Sequence, residues 1–371
     1  MNYLEYVWLD GNKTQRLRSK TKIAKGNIEY DFKEVKESLF KTMTHRYISG
    51  FGKIIDWNFD GSSTGQASTS KSELILKPVN IFKDPFTKDG YLVLCEVFNI
   101  DGTPHHTNKR AELRSILKDD DDFKMGLEQE YFIYDTKTSR PLGWPEHGFP
   151  KAQGDFYCGV GGNNVMGRDF ANEHLRLCNS VNIDISGINI EVAKAQLEWQ
   201  TGIVSALDGS DQFWIARYIM ERLSEKYGYE IILHPKPFAG NEINGSGCHV
   251  NFSTKKMRED LVNKKNLVLD ACEKLSKRIE EHIAVYGEHN ELRLTGDNET
   301  CSINQFKFGI GDRTASIRIP SSINDDVTPG YLEDRRPASN INPYEVAKVI
   351  IETIYSPVHS KSSKQTDNIA I

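Results

Sequence analysis

Cysteine is sparse in this chain and stands unpaired. Six residues, Cys95, Cys158, Cys178, Cys248, Cys272 and Cys301, are scattered over 371 positions with no C-x-x-C spacing. That excludes a thiolate zinc site or a disulfide framework and fits a reducing cytoplasm. Long apolar runs are also missing. Nothing approaches the roughly 18 residues that a membrane span demands, and the start, Met1-Asn-Tyr-Leu-Glu-Tyr-Val-Trp-Leu, has neither the basic flank nor the length of a signal segment. A basic excess is missing as well: 52 Asp and Glu outnumber 47 Lys and Arg, for a net charge of -5. The clustered basic face of a nucleic-acid partner is therefore not expected. The expected setting is cytoplasmic, away from membrane and nucleic acid. The glycine-rich Tyr157-Cys-Gly-Val-Gly-Gly-Asn-Asn164 has neither the Lys-Ser/Thr of a P-loop nor Gly-x-Gly-x-x-Gly spacing, so it reads as a flexible loop.

What is present is a run with a period of two, Met125-Gly-Leu-Glu-Gln-Glu-Tyr-Phe-Ile-Tyr134. As a strand it turns Leu127, Gln129, Tyr131 and Ile133 to one face and Glu128, Glu130, Phe132 and Tyr134 to the other. Two carboxylates side by side on one face repel each other and call for water or cations between them. Residues 187–202 alternate on both sides of Lys194-Ala195, as a two-residue hairpin would. With the turn there, Val192 pairs with Leu197, and Glu191 lies across from Glu198. Further on, His249, Asn251 and Ser253 share one strand face after a glycine-rich turn that permits close approach of backbone to a ligand.

Length allows two domains. Residues 1–102 read as short strands (3–9, 53–58, 72–79, 91–98) with Asp60 at a tight turn, and residues 103–371 as a larger α+β domain. Helices are expected over 109–117, 170–181, 210–227 (capped by Asp208-Gly-Ser210), 258–283 as one long helix, and 342–355. The acidic run 119–122 reads as a solvated turn and the tail from 356 as mobile. Five carboxylates, Glu128, Glu130, Glu191, Glu198 and Glu333, with one imidazole, His249, are a hard donor set suited to Mg²⁺ or Mn²⁺. Arg293, Arg313, Arg318 and Arg335, interleaved with Gly, Ser and Thr, are planar forks for carboxylate and phosphate oxygens. Cations and guanidinium groups aimed at the same oxygens are what phosphoryl transfer needs, so an ATP-using enzyme is expected.

Phe59-Asp-Gly-Ser-Ser63 with Lys71-Ser-Glu73, and Lys236-Pro through Asn244-Gly-Ser-Gly-Cys-His249 to Ser253, resemble the two signature motifs of glutamine synthetase. Glu128-x-Glu130, Glu191/Glu198, Arg293-Leu-Thr-Gly296, Glu299, Arg313, Ser316-Ile-Arg-Ile-Pro320 and Glu333-Asp-Arg335 follow in the matching order, with the length and wording of the type II, eukaryote-like class. The resemblance spans nearly the whole chain. It implies a β-grasp N-terminal domain, a catalytic domain on a curved antiparallel sheet with flanking helices, and a homo-oligomer of two stacked pentameric rings. In such a ring the Asp60 turn completes the neighbour's site. It implies that Glu128, Glu191 and Glu198 hold one cation and Glu130, His249 and Glu333 another, with two or three per site. Asn244, Gly245, Arg293 and Arg335 would fix L-glutamate. Arg313 and Arg318 would face the ATP phosphates, with Glu198, Asn251, Ser253 and Tyr331 around the nucleotide. The implied reaction is ligation of ammonia to glutamate through an acyl phosphate, with Asp60 deprotonating ammonium, Glu299 on a closing flap, and Arg335 also among the catalytic groups. Two alternatives are a glutamate-amine ligase acting on polyamines and a pseudoenzyme that keeps only the ring. The chain departs from type II members in carrying Lys124 where a tryptophan commonly lies near the adenine, and it has no tyrosine-bearing loop for adenylylation.

Overall fold

The structure, a computed structural model, describes residues 1–25, 54–118, 122–152, 154–238, 242–297 and 301–356. Its first sheet is built from β1 (Asn2–Leu9), β2 (Leu17–Ala24), β3 (Trp57–Asp60), β4 (Glu73–Lys83) and β5 (Gly90–Phe98). They lie in the order β2-β1-β5-β4-β3, with β1 and β5 parallel and the other pairs antiparallel. Alternation along β1 turns Leu4, Tyr6 and Trp8 into a core shared with Leu76 and Val93. The strand β2 went unforeseen, because Leu-Arg-Ser-Lys-Thr-Lys-Ile-Ala is mostly polar and half-exposed. The expected strand over 53–58 begins at Trp57, while Lys53 lies outside the described residues.

The second sheet comprises β6 (Lys124–Asp135), β7 (Arg140–Pro141), β8 (Ile185–Ile190), β9 (Gln196–Thr201), β10 (Val204–Ser205), β11 (Tyr229–Ile232), β12 (Cys248–Ser253), β13 (Phe308–Ile310), β14 (Ile317–Ile319) and β15 (Leu332–Asp334). Its main path runs β13-β14-β15-β12-β6-β9-β8, and β7, β10 and β11 also pair with β6. All of these pairs are antiparallel except β13 with β14. The long strand β6 is the hub. Its helices are α1 (Lys109–Ile116), α2 (Arg168–Ser180), α3 (Ala206–Tyr227), α4 (Lys255–Glu259), α5 (Lys264–Ser276), α6 (Ile279–Ile283) and α7 (Pro343–Tyr355).

The two faces of β6 divide as alternation requires. Leu127, Tyr131 and Ile133 join Trp199 and the α3 residues Phe213, Ile215 and Ile219 in one buried core, each apolar side chain contributing about 1.5–3 kcal/mol. Arg217 of α3 reaches through that core to donate to Gln129 Oε1 at 2.8 Å. On the opposite face Phe132 packs with Ala193 and Ile243, and the two acids stand beside it. The sheet is thus backed rigidly on one side and open on the other.

Three expectations need correction. The helix α3 starts at Ala206, after the non-helical Ser205, so Asp208 is a first-turn residue rather than part of a cap. The long helix over 258–283 is three helices, α4, α5 and α6. Asn263 folds back onto the Asp260 carboxylate in the first gap, and Lys277 and Arg278 make the second. The hairpin is wider than two residues: Ile190, not Val192, pairs with Leu197, and Asn189 lies across from Glu198. Residues 191–195 form the turn, with Ala195 at φ 69°. The tail beyond Ser356 and residues 119–121 of the acidic run lie outside the described residues.

The two sheets are tied by a buried ionic knot. Arg110 of α1 donates to both oxygens of Asp211 and to Glu96, Arg114 also reaches Glu96, and Asn80 and Tyr344 complete Asp211. Breaking one partner of such a knot leaves an uncompensated buried charge, so the knot ties the first sheet to α1, α3 and α7.

Candidate active site

Register sets the acids around one cavity of about 740 Å³ on the open face of the second sheet. His249 of β12 pairs directly with Glu128 of β6, and Glu130 pairs with Glu198 of β9. On the far side of β12, Asn251 pairs with Glu333 of β15. His249 Nδ1 lies 3.4 Å from Glu128 and 3.3 Å from Glu333, and its Nε2 lies 3.9 Å from Glu130. One ligating atom each of Glu128, His249 and Glu333 falls within 4.8 Å of the others. Glu191, just beyond β8, meets Glu198 and Glu130 by charge and hydrogen bond.

This grouping differs from the one expected for the ligands. Glu128, not Glu130, stands with His249 and Glu333, while Glu130 stands with Glu191 and Glu198. The reason is strand pairing: the β12 neighbour of Glu128 is His249, and the β9 neighbour of Glu130 is Glu198.

The electrostatics of the two groups differ. Burial together with Glu130 and Glu198 pushes the Glu191 carboxyl up to about 10 and raises Glu198 too, because neighbouring anions out of water disfavour each other. Burial also works against Glu333, but His249, Arg335 and Arg318 outweigh it and hold its pKa at about 2. Arg335 donates to Glu333 Oε1 at 2.6 Å and Arg318 to Oε2 at 2.7 Å. For His249, burial and Arg335 act downward, yet the three carboxylates win and raise it to about 9. Arg293 Nη2 lies 3.0 Å from His249 Nε2, an approach that takes a bare ring nitrogen.

A divalent cation fits this donor set. Two groups of three ligands, five oxygen donors and one nitrogen, are buried in polar surroundings, and the repulsion within Glu130, Glu191 and Glu198 is what a double positive charge removes. Arg293, Arg313, Arg318 and Arg335 all line the same cavity, as do Asn244, Gly245, Asn251 and Tyr331.

Two expected site residues, Ser253 and Asp60, are elsewhere. Ser253 is buried at the end of β12 and its Oγ accepts from Arg258 at 2.9 Å. Asp60 sits at the end of β3 in the first sheet, exposed, and caps the following turn through Ser62 N and the hydroxyls of Ser62 and Ser63. It does not line the cavity. Glu299 lies outside the described residues. Other cavity residues escaped the sequence reading: Tyr157, Asn189, Gln200, Lys236, Thr295 and Asp297. For Asn189 and Gln200 a signal existed, since both share the face of Glu191 and Glu198 by alternation. Tyr157 had none, being in a stretch without periodicity. Lys124, at the start of β6, lies 3.3 Å from Asp122.

Paired acid triads and arginines on one cavity are the arrangement that phosphoryl-transfer enzymes need. The model of the glutamine synthetase beta-grasp domain matches residues 1–100, and that of the glutamine synthetase catalytic domain matches residues 101–367. A glutamine synthetase of Agaricus bisporus is 45% identical over 352 residues, 94% of this chain and 92% of that one. One from Kluyveromyces lactis is 43% identical over 359 residues, 96% of this chain and 89% of that one. A putative glutamine synthetase of Acanthamoeba polyphaga mimivirus is 43% identical over 360 residues, 95% of this chain and 94% of that one. The solved structure "Apo GmaS without ligand" superposes with a TM-score of 0.69 at 19% identity, over 94% of this chain and 76% of that one, and speaks for the fold alone. The chain belongs to the glutamine synthetase family, in its eukaryote-like type II class.

Proposed function

We propose that this chain ligates ammonia to the γ-carboxylate of L-glutamate at the expense of ATP, through a γ-glutamyl phosphate, giving L-glutamine, ADP and phosphate. The observation that carries the reading is the convergence of both acid groups and four arginines on one cavity. Glu128, His249 and Glu333 would hold one Mg²⁺ or Mn²⁺, and Glu130, Glu191 and Glu198 another. When bound, these cations neutralise phosphate oxygens and polarise the phosphoryl group under attack.

The chain's own residues do the rest. Arg293, with Asn244 and Gly245, receives the glutamate carboxylate at the glycine-rich turn, and Arg335 stands where the γ-carboxylate meets the phosphoryl group. Arg313 and Arg318 face the phosphates, with Asn251 and Tyr331 toward the nucleotide. Guanidinium forks suit these oxygens because they bind two at once and keep their charge. Ammonium must lose a proton before it attacks. Asp60, whose pKa hydrogen bonds from Ser62 and Ser63 hold at about 2, stays anionic to attract the cation, and it would gain the basicity to accept the proton as those hydroxyl bonds are given up. Asp60 then has to come from a neighbouring chain, which supports a ring-shaped homo-oligomer, in type II form two stacked pentamers. Glu299 would close the site against water. Six free thiols agree with a cytoplasmic setting.

Phosphate release measured with ATP, Mg²⁺ or Mn²⁺, glutamate and ammonium tests the reading. Release must require all four components, and ammonium must outperform putrescine. Release that persists without glutamate overturns it, and preference for putrescine makes the chain a polyamine ligase.

A further inference from the structure

Four of the glutamates around the cavity, Glu128, Glu130, Glu191 and Glu198, each have a side-chain amide donating to them. Asn251 Nδ2 reaches Glu128 Oε1 at 2.6 Å, and Gln196 Nε2 reaches Glu130 Oε2 at 3.3 Å. Asn189 Nδ2 reaches Glu191 Oε1 at 2.8 Å, and Gln200 Nε2 donates to Glu198 Oε1. Glu333 is the exception and takes Arg318 and Arg335 instead. The chemistry distinguishes the two kinds of donor. A guanidinium neutralises a carboxylate and competes with a metal ion for it, whereas an amide N–H fixes one oxygen and leaves the negative charge for a cation.

Asn189 and Gln200 are the pair that goes furthest, because they are linked to each other. Gln200 Nε2 also donates to Asn189 Oδ1 at 2.5 Å, so its two protons go to Glu198 and Asn189, and Asn189 passes its own to Glu191. The chain Glu198–Gln200–Asn189–Glu191 closes between two acids that otherwise repel. The backbone makes room for it. The pairing of β8 with β9 shifts register between Ile185 and Gly187, and a Cβ on Gly187 would lie 2.6 Å from Gln200 Oε1. A bulge at a glycine beneath one side chain is a way to re-aim that side chain.

We infer that Asn189 and Gln200 form an amide clamp, a pair of positioning residues that hold Glu191 and Glu198 at the separation a divalent cation needs. The inference rests on the metal reading of the site given above. Neither residue touches a reacting atom in this account; both act through the carboxylates.

The test is Mn²⁺ binding by calorimetry on the full-length protein without ATP or glutamate. Gln200→Met and Asn189→Leu should each weaken one class of Mn²⁺ site by about 10–100-fold, the range for groups that orient metal ligands. The double variant should be no weaker than either single one, because the two amides act as one chain. Gly187→Ala, which changes no polar group, should weaken the same class by crowding Gln200 out. Melting in chelator should fall little, which separates the clamp from a role in folding. Should Gln200→Met fail to fold, Gly187→Ala and Asn189→Leu carry the comparison. Mn²⁺ affinity within twofold of the unaltered protein in these variants overturns the clamp alone. An unaltered protein that binds no Mn²⁺ overturns the metal reading and the clamp with it.

Discussion

Glu191 shows what a single residue contributes to a site built on like charges. Buried beside Glu130 and Glu198, it opposes folding when no cation is present. Glu191→Gln keeps the shape and removes the repulsion. In chelator the variant should therefore be more stable than the parent, by roughly 1–3 kcal/mol at pH 7. Adding Mn²⁺ should reverse the order, since a ligand that binds only the folded state raises stability in proportion to its affinity. Melting curves with chelator and with Mn²⁺ check both halves; a variant less stable in chelator would count against the repulsion. Much of this was legible residue by residue: Glu128-x-Glu130 announces its face by alternation alone. What alternation does not give is the neighbour across the sheet, which is why the expected grouping put Glu130 with His249 and Glu333, whereas strand pairing sets Glu128 beside His249 and Glu130 beside Glu198.

At the scale of elements, the glycine-rich turn before β12 brings backbone close to Arg293. A Cβ on Gly247 would lie 2.4 Å from Arg293 Nη2 and 3.0 Å from His249 Nε2. Gly247→Ala should displace the guanidinium and cost on the order of 10²-fold in kcat/KM for glutamate, with the KM for ATP changed less. Steady-state kinetics in each substrate read this, and equal losses for both would point to general damage of β12. Packing of α2 on α3 makes a second prediction. His174 is fully buried, its Nε2 lies 3.0 Å from Ala216 O as the donor, and its Nδ1 has no partner among the described residues, so burial holds its pKa at about 4. The unfolded chain binds the proton at higher pH, so between about pH 6.5 and pH 4 it holds more protons than the folded one. Stability then falls on acidification by up to about 1.4 kcal/mol per pH unit from this group, and is fully present above that window. His174→Gln, which can still donate to Ala216, should flatten the decline in melting temperature between pH 7 and pH 4.5; an unchanged slope would absolve the histidine. Element boundaries were the least legible part of the sequence. The 258–283 pattern runs through two breaks because apolar spacing continues across them, and the width of the 191–195 turn depends on Ala195 accepting a positive φ, which nothing in its neighbours signals.

For the whole molecule, Asp60 and the acid cluster belong to different sheets, and Asp60 does not line the cavity. The Arg110–Asp211–Glu96 knot and its partners Asn80 and Tyr344 tie the first sheet to the helices behind the second, away from the cavity face. In the head-to-tail ring proposed above, each chain would present its Asp60 turn to the next one's cavity, and a closed cycle would satisfy every site. That arrangement has a quantitative consequence in mixed assemblies. Asp60→Ala keeps an intact cluster and Glu130→Gln keeps an intact Asp60, and each variant alone should be inactive. When the two are unfolded and reassembled in equal amounts, a site works if its cluster comes from the first variant and its Asp60 from the second, so about one quarter of parental activity should return. Sites built within one chain return none, because no chain then carries both groups. Glutamine formation per milligram of purified mixed oligomer, against unmixed controls treated identically, separates the two outcomes.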